Sequence, residues 1–264
     1  MNLKLDNKTA LVTASTAGIG YAIALELARE GARVIVNGRT DARVDHAIAS
    51  IRAEVPVATV QGLAADLGTA SGCRNVVDRL PKVDVLVNNL GIFEAKPFEA
   101  IPDEDWLRLF EVNVLSGVRL SRAYLPGMKE GRWGRIIFIS SESAVQIPVE
   151  MIHYGMTKTA QVAIARGLAE TCTGTGVTVN SVLVGPTASE GATTFVQALA
   201  AERQITPAAF ERDFFQTIRP TSLVQRFLQP DEIAKVVVFL CSPQASAITG
   251  TAVRADGGVI KAAL

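Results

Sequence analysis

The stretch Thr9-Ala10-Leu11-Val12-Thr13-Ala14-Ser15-Thr16-Ala17-Gly18-Ile19-Gly20 decides how the rest of the chain is read. Its first five residues are short, apolar and β-branched, as in a strand buried on both faces. A helical pattern follows at once. Residues 19–30 place Ile23, Leu27 and Ala28 on one face, and Gly31 stands just past the end as a C-cap does. Between strand and helix lie Gly18 and Gly20. Glycine there lets the backbone approach a ligand and lets the helix pack tightly on the strand. The free N–H groups and positive dipole of a helix start suit a phosphate. A lone Gly-x-Gly says little, but one set between a first strand and a first helix says much more.

The same alternation continues along the chain. Apolar runs at 34–36, 83–87, 135–139 and 177–184, with a weaker one at 57–61, alternate with segments of helical spacing. Residues 41–54 are one such segment, with Val44, Ile48 and Ile51 on a face. Repeated strand–helix–strand units wind right-handed and build a parallel sheet with helices on both faces. The expected fold is α/β: a single Rossmann-type domain over residues 1–264, doubly wound around a parallel sheet. Residues 188–230 break the pattern. They are helical in composition and carry Phe195, Phe210, Phe214, Phe215 and Phe227. An insertion after a strand's carboxyl end can cover a substrate crevice. It can equally supply core or a subunit interface, and the sequence leaves both open.

Composition narrows the function. The 264 residues are 48% apolar, enough for a large core, and 26 basic residues cancel 26 acidic ones. No nucleic-acid or membrane-surface partner is expected from that balance. Cys73, Cys172 and Cys241 are widely spaced, and His46 and His153 are the two histidines. No metal site or disulfide framework is expected, and the thiols suit a reducing compartment. Residues 1–6 lack the character of a signal peptide, and no apolar run nears the about 20 residues of a membrane span. A soluble, cytoplasmic protein is expected.

The phosphate turn points to a dinucleotide. In such a fold an acidic residue ending the second strand binds a ribose 2′-hydroxyl and selects NAD. Here Asn37-Gly38-Arg39-Thr40 has no carboxylate, and the Arg39 guanidinium can fork onto a 2′-phosphate. NADP(H) is therefore favoured over NAD(H). Asp66-Leu67 is placed for the adenine edge. In Asn88-Asn89-Leu90-Gly91 the amides can lock neighbouring strands, and Gly91 lets a cofactor pass close.

Tyr154 and Lys158 stand one helical turn apart on a common face. A carbonyl receiving a hydride at carbon needs a proton at oxygen, and a phenol can give one. An ordinary phenol titrates near pH 10. Lowering that by about 2–3 units takes roughly 3–4 kcal/mol, and an ammonium about 4 Å away supplies about 4 kcal/mol at an effective dielectric of 20. Lys158 is thus expected to acidify Tyr154. Ser141, at the end of the 135–139 strand, is placed to hold the substrate oxygen, and Asn113 is either solvated or holds a relaying water.

In order and in combination these motifs resemble the short-chain dehydrogenase/reductase family. Thr13…Gly18-Ile19-Gly20, Asn88-Asn89-Leu90-Gly91, Asn113, Ser141, Tyr154-Gly155-Met156-Thr157-Lys158 and the closing Asp256-Gly257-Gly258 carry the likeness over essentially the whole chain. The resemblance implies about seven strands, a Ser141–Tyr154–Lys158 triad assisted by Asn113, and a homotetramer or homodimer. It implies dinucleotide contacts from Thr13, Ser15, Thr16, Gly18, Ile19, Gly20, Arg39, Asp66, Leu67, Asn89, Gly91, Tyr154, Lys158, Gly185 and Thr187. Three positions depart from the family pattern. Ala14 replaces a glycine, which is tolerable if its φ stays negative. Leu90 replaces an alanine, and Val184-Gly185 stands where Pro-Gly is usual.

The reaction implied is hydride transfer between a nicotinamide and a carbonyl or secondary alcohol carbon, on a small ketone, alcohol or 3-oxoacyl substrate. Two alternatives stay open: an NAD(H)-linked secondary-alcohol dehydrogenase, and a non-catalytic dinucleotide-binding sensor. Candidate substrate walls are Glu142, Gln146, Ile147, Met151, Phe93 and Phe195. Glu142 either binds a polar substrate group or faces solvent. His153, rotated about 100° from Tyr154 on a helix, is read as a packing or interface residue, and Trp106 and Trp133 as core or interface residues.

Overall fold

The computed structural model describes residues 2–190, 193 and 205–263. Seven parallel strands form one sheet in the order β3-β2-β1-β4-β5-β6-β7. They are β1 (Thr9–Val12), β2 (Arg33–Gly38), β3 (Val60–Ala64), β4 (Val85–Asn88), β5 (Gly134–Ser141), β6 (Val177–Val184) and β7 (Ala252–Ala255). The order reverses between β1 and β4, and a sheet of this kind opens a crevice at that point, beyond the strands' carboxyl ends.

The strands are apolar at consecutive positions because both faces are covered. Ala10, Val12, Val34, Val36, Val85, Val87, Ile137 and Ile139 pack to one side, against α1 (Gly18–Arg29), α2 (Asp41–Glu54) and the helix Pro230–Cys241. Leu11, Ile35, Leu86, Ile136 and Phe138 pack to the other. There they meet α3 (Ala70–Arg79), α5 (Ser116–Glu130) and α6 (Ile152–Glu170). A period of two along each strand thus feeds two separate cores. The weak run at 57–61 is displaced. Its strand is Val60–Ala64, because Val57 is exposed and pairing with β2 begins at Val60.

Among the described residues, two helices carry a π-turn. After α4 (Asp103–Phe110) the residues Glu111–Leu115 widen before α5 begins. After α7 (Pro207–Asp213) the residues Phe214–Ile218 do the same. The final helix, α8, is Pro230–Cys241. The part of the 188–230 insertion that is described includes α7 and its π-turn. Phe210 and Phe215 in it are almost fully buried. Phe195 lies outside the described residues.

Gly31 has φ +80, as its C-cap position requires. Ala14 departs from expectation: its φ is +51, in the left-handed region. An alanine there is strained by about 1–2 kcal/mol, and its surroundings hold it. Its N–H donates to Asn37 Oδ1 at 3.1 Å, and its carbonyl accepts from Asn89 Nδ2 at 3.1 Å.

Candidate active site

A cavity of about 720 Å³ lies over the carboxyl ends of the strands. One end is lined by Ala14, Ala17, Gly18, Ile19 and Gly20. Gly18 has φ +56. A Cβ on Gly20 would sit 2.5 Å from the Ala14 carbonyl and from Asn89 Nδ2, so the turn closes only around glycine. The residue capping α1 is Ala17, which has no side-chain oxygen to offer, and no side-chain cap bond is made. The first N–H groups of the helix are left to whatever enters the cavity. This cradle fits a phosphate, and with it the dinucleotide that the fold implies.

The turn is braced from behind. Thr13 Oγ1 accepts from the N–H groups of Asn89 and Leu90 and donates to Val87 O. Ser15 Oγ donates to Val12 O and accepts from the Asn37 N–H. Thr13 and Ser15 therefore shape the turn from inside the protein and do not line the cavity. Asn37 was read only as a missing carboxylate. Its buried amide proves central, donating to Leu63 O and Ala65 O while accepting from Ala14. Nothing local in the sequence marks it, since its partners come from two other segments, the turn after β1 and the end of β3.

Other expected dinucleotide contacts divide. Asn89, Gly91, Tyr154, Lys158, Gly185 and Thr187 line the cavity. Thr16, Arg39, Asp66 and Leu67 do not. Arg39 and Asp66 are exposed beside the strand ends, and Asp66 Oδ1 accepts from the Gly68 N–H. The Leu67 side chain is packed into the core, so only its backbone is available to a ligand. Gly185 is glycine for a local reason: a Cβ there would lie 2.5 Å from Asp256 O.

At the middle of the cavity β5 meets α6. Ser140 Oγ donates to Lys158 O and fixes the helix on the strand. Tyr154, Lys158 and Gln161 form one stripe along α6. Lys158 Nζ donates to Ile139 O at 2.8 Å and Gln161 Oε1 at 3.3 Å, and lies 5.5 Å from the Tyr154 ring centroid. Gln161 Nε2 donates to Asn113 O in the π-turn. Asn113 is buried rather than solvated. Its Oδ1 accepts from the Ile92 N–H, and its Nδ2 donates to Ile92 O and Thr157 Oγ1. Gln161 escaped the sequence reading, although it continues the helical face of Tyr154 and Lys158 by one turn.

The electrostatics correct one expectation. Tyr154 is not acidified: its pKa is raised, first by burial and then by the Glu142 carboxylate. Hydrogen bonding with Ser141 and the charge of Arg219 only partly oppose this. Burial also pulls Lys158 down to about 8, against a weaker upward pull from Glu142. Excluding water penalises both charged forms, phenolate and ammonium, and burial is the largest cause of each shift. The phenol is held protonated, as a donor.

At the far end, Phe93, Met151, Phe210, Phe214, Ile218 and Phe227 line an apolar wall. Phe93 meets the Tyr154 ring edge to face. Set into this wall is an ion pair. Arg219 Nε donates to Glu142 Oε1 at 3.1 Å and its Nη1 to Glu150 Oε1 at 3.4 Å. The Arg219 and Glu142 side chains are only 9% and 6% exposed. Glu142 thus does not face solvent: it lines the cavity, with Oε1 accepting from Arg219 and Oε2 from Ser141 Oγ. Arg219 and Glu150 were not foreseen. The one signal was a lone arginine closing the aromatic run Phe214–Ile218. Gln146 and Ile147 do not line the cavity. Gln146 reaches toward Thr221, and Ile147 packs on Gly155. His153 is fully buried against Trp106, a packing position as expected.

A cradle for a dinucleotide, opening into a pocket that holds a buried phenol, hydroxyl and amine, defines an oxidoreductase that works with a nicotinamide. The chain belongs to the short-chain dehydrogenase/reductase family. A family model described as enoyl-(acyl carrier protein) reductase matches residues 13–260. The uncharacterized oxidoreductase YvaG of Bacillus subtilis is 50% identical over 261 residues, covering 99% of both chains. Dehydrogenase/reductase SDR family member 4 of Bos taurus is 35% identical, covering 96% of this chain and 88% of that one. The structure of L-sorbose reductase from Gluconobacter frateurii, complexed with NADPH and L-sorbose, superposes with a TM-score of 0.92 at 29% identity. That match covers 99% of this chain and 100% of the other. The protein is an NAD(P)-dependent oxidoreductase of this family, and no helix among its described residues is long and apolar enough to cross a membrane.

Proposed function

We propose that the protein is an NADP(H)-dependent reductase of uncharged ketones or 3-oxoacyl-type carbonyls, working in the cytoplasm as a homotetramer or homodimer. Each subunit is read as one catalytic domain over residues 1–264, with residues 188–230 covering the substrate. The observation that carries this reading is one continuous cavity bounded by both the uncapped glycine turn and Tyr154, Lys158 and Ser141.

Gly18, Ile19, Gly20, Asn89, Gly91, Gly185 and Thr187 would hold the dinucleotide, whose reduced nicotinamide supplies a hydride when bound. The Tyr154 phenol, kept protonated by burial, gives its proton to the carbonyl oxygen as the carbon is reduced. Lys158 steadies the phenolate that remains, and Ser141 holds the oxygen in line. Asn113 and Gln161 fix Lys158 in place.

NADP(H) is favoured because β2 ends without a carboxylate and with an exposed arginine, Arg39. An uncharged substrate is favoured because Arg219 is already answered by Glu142 and Glu150. The apolar wall beside them suits a moderately hydrophobic molecule such as Met151 and the phenylalanines can enclose.

A panel of ketones and 3-oxoacyl thioesters run with NADPH, followed by the absorbance of the reduced nicotinamide, tests the reading. Turnover with NADPH is expected. Cofactor binding without turnover of any carbonyl would make the protein a dinucleotide sensor. Parallel fluorescence titrations with NADPH and NADH test Arg39, and tighter NADH binding would overturn its role.

A further inference from the structure

The ion pair set into the apolar wall has hydrogen-bonding capacity left over, and it can be counted. A guanidinium carries five N–H donors, and a carboxylate offers about four acceptor positions. Arg219 gives Nε to Glu142 and Nη1 to Glu150 and Ile218 O, which leaves Nη2 without an acceptor among the described residues. Glu142 takes one bond on each oxygen, from Arg219 and from Ser141, so about half of its capacity stays open. Arg219, Glu142 and Glu150 all line the cavity.

Donors and acceptors left over side by side select a group that can both donate and accept. A hydroxyl does both. A carboxylate only accepts, and two carboxylates against one guanidinium repel it. The patch also has a fixed place relative to the reacting carbon. Glu142 directly follows Ser141 and accepts a hydrogen bond from its hydroxyl, and Ser141 is the group read as holding the carbonyl oxygen. A ligand that reaches both therefore carries two oxygens close together, as a carbonyl and a hydroxyl on the neighbouring carbon are.

We propose that Glu142, held in place by Arg219, is a specificity-determining residue: it takes the hydroxyl of an α-hydroxyketone, and it makes neutral hydroxyketones the preferred class among uncharged carbonyl substrates. The proposal deepens the reductase reading and rests on it for turnover. In the structure the Ser141 hydroxyl donates to Glu142. The substrate hydroxyl replaces it as donor to the carboxylate, and the Ser141 hydrogen rotates onto the carbonyl oxygen. No proton changes owner in this exchange, since only hydrogen bonds are traded. A plain ketone brings no donor, so freeing Ser141 for it leaves a buried carboxylate oxygen short of a bond. The rest of the substrate chain lies along Met151, Phe214 and Phe227.

Ethyl hexyl ketone and hydroxymethyl hexyl ketone differ by one methyl exchanged for a hydroxyl. Their kcat/KM values with NADPH are compared in the wild type and in Glu142→Leu with Arg219→Met, which removes the buried pair together and leaves neither charge alone. Any inherent difference in reactivity between the two ketones is common to both enzymes, so the change in preference is the readout. The wild type is expected to prefer the hydroxyketone, and the double variant to lose about 10- to 100-fold of that preference. NADPH binding checks folding. If that variant does not fold, Glu142→Gln with Arg219→Met keeps the shape without the charges, and a smaller loss in the same direction is expected. A folded variant with the wild-type preference, or a wild type that does not prefer the hydroxyketone, overturns the proposal. The same two ketones are titrated into Tyr154→Phe loaded with NADPH, where nicotinamide fluorescence reads binding without turnover. Tighter binding of the hydroxyketone supports the proposal even if the wild type reduces neither compound, a result that would count against the reductase reading alone. Equal binding of the two overturns the proposal.

Discussion

The two ends of the cavity are built in opposite ways. The end around Gly18 and Gly20 is made of backbone: uncapped N–H groups, glycines that admit no Cβ, and buried amides holding the turn from behind. The end around Glu142 and Arg219 is made of side chains, brought together across 77 residues of sequence. A backbone site needs a specific local conformation, which short motifs encode. A side-chain site needs a specific tertiary neighbour, which no short motif encodes. The first end serves a ligand common to a whole family, and the second can change with the substrate while the first stays fixed.

If this contrast is right, charge changes should hurt most at the substrate end. Arg219→Met leaves the Glu142 carboxylate buried without its partner and is expected to lower unfolding free energy by about 3–5 kcal/mol. Adding Glu142→Gln should recover most of that loss. Urea unfolding of the single and double variants checks both, and equal stability of the two would break the comparison.

At the cofactor end the comparable loss is one of hydrogen bonds. Asn37→Ala leaves the Ala14 N–H and the carbonyls of Leu63 and Ala65 without their amide, at about 2–3 kcal/mol. It should also weaken NADPH binding, which Glu142→Gln should not do. Fluorescence titration of both variants sharpens the distinction.

The middle of the cavity predicts a pH effect. Lys158 titrates at about 8 in the folded protein against an ordinary 10.5. Between those values the unfolded chain binds the extra proton, so stability contributed through Lys158 rises with pH. Below about pH 8 the burial penalty of the ammonium is fully present. From pH 7.5 to 9.5 the wild type should gain about 2 kcal/mol relative to Lys158→Met. Unfolding at the two pH values measures this, and a zero or negative difference would contradict the burial argument.

The smallest effect belongs to Ala14. Its positive φ is a strain that glycine relieves, partly offset by the greater freedom of glycine in the unfolded chain. Ala14→Gly should stabilise by about 0.5–1 kcal/mol, read as a rise in thermal midpoint. A loss of stability would mean that the Asn37 and Asn89 bonds depend on the alanine.

The same contrast explains what could be read from sequence. The sheet was legible because strands covered on both faces are apolar at consecutive positions, as in Val34, Ile35 and Val36 of β2 or Val85, Leu86 and Val87 of β4. The glycine turn and the Tyr154–Lys158 stripe were legible because strand-to-helix order and one helical turn fix them locally. Asn37, Arg219 and Glu150 were not, since their partners arrive from other elements. The sign of the Tyr154 shift was also missed. Spacing gave the lysine's proximity, but the depth of burial that raises the Tyr154 pKa is a property of the whole enclosure.

The most direct test compares Tyr154→Phe with the wild type in two assays, NADPH binding by nicotinamide fluorescence and carbonyl reduction by absorbance. Removing the phenolic proton should leave binding unchanged and cut turnover by at least about 100-fold. Turnover near the wild-type rate, with binding intact, would show that the proton comes from elsewhere.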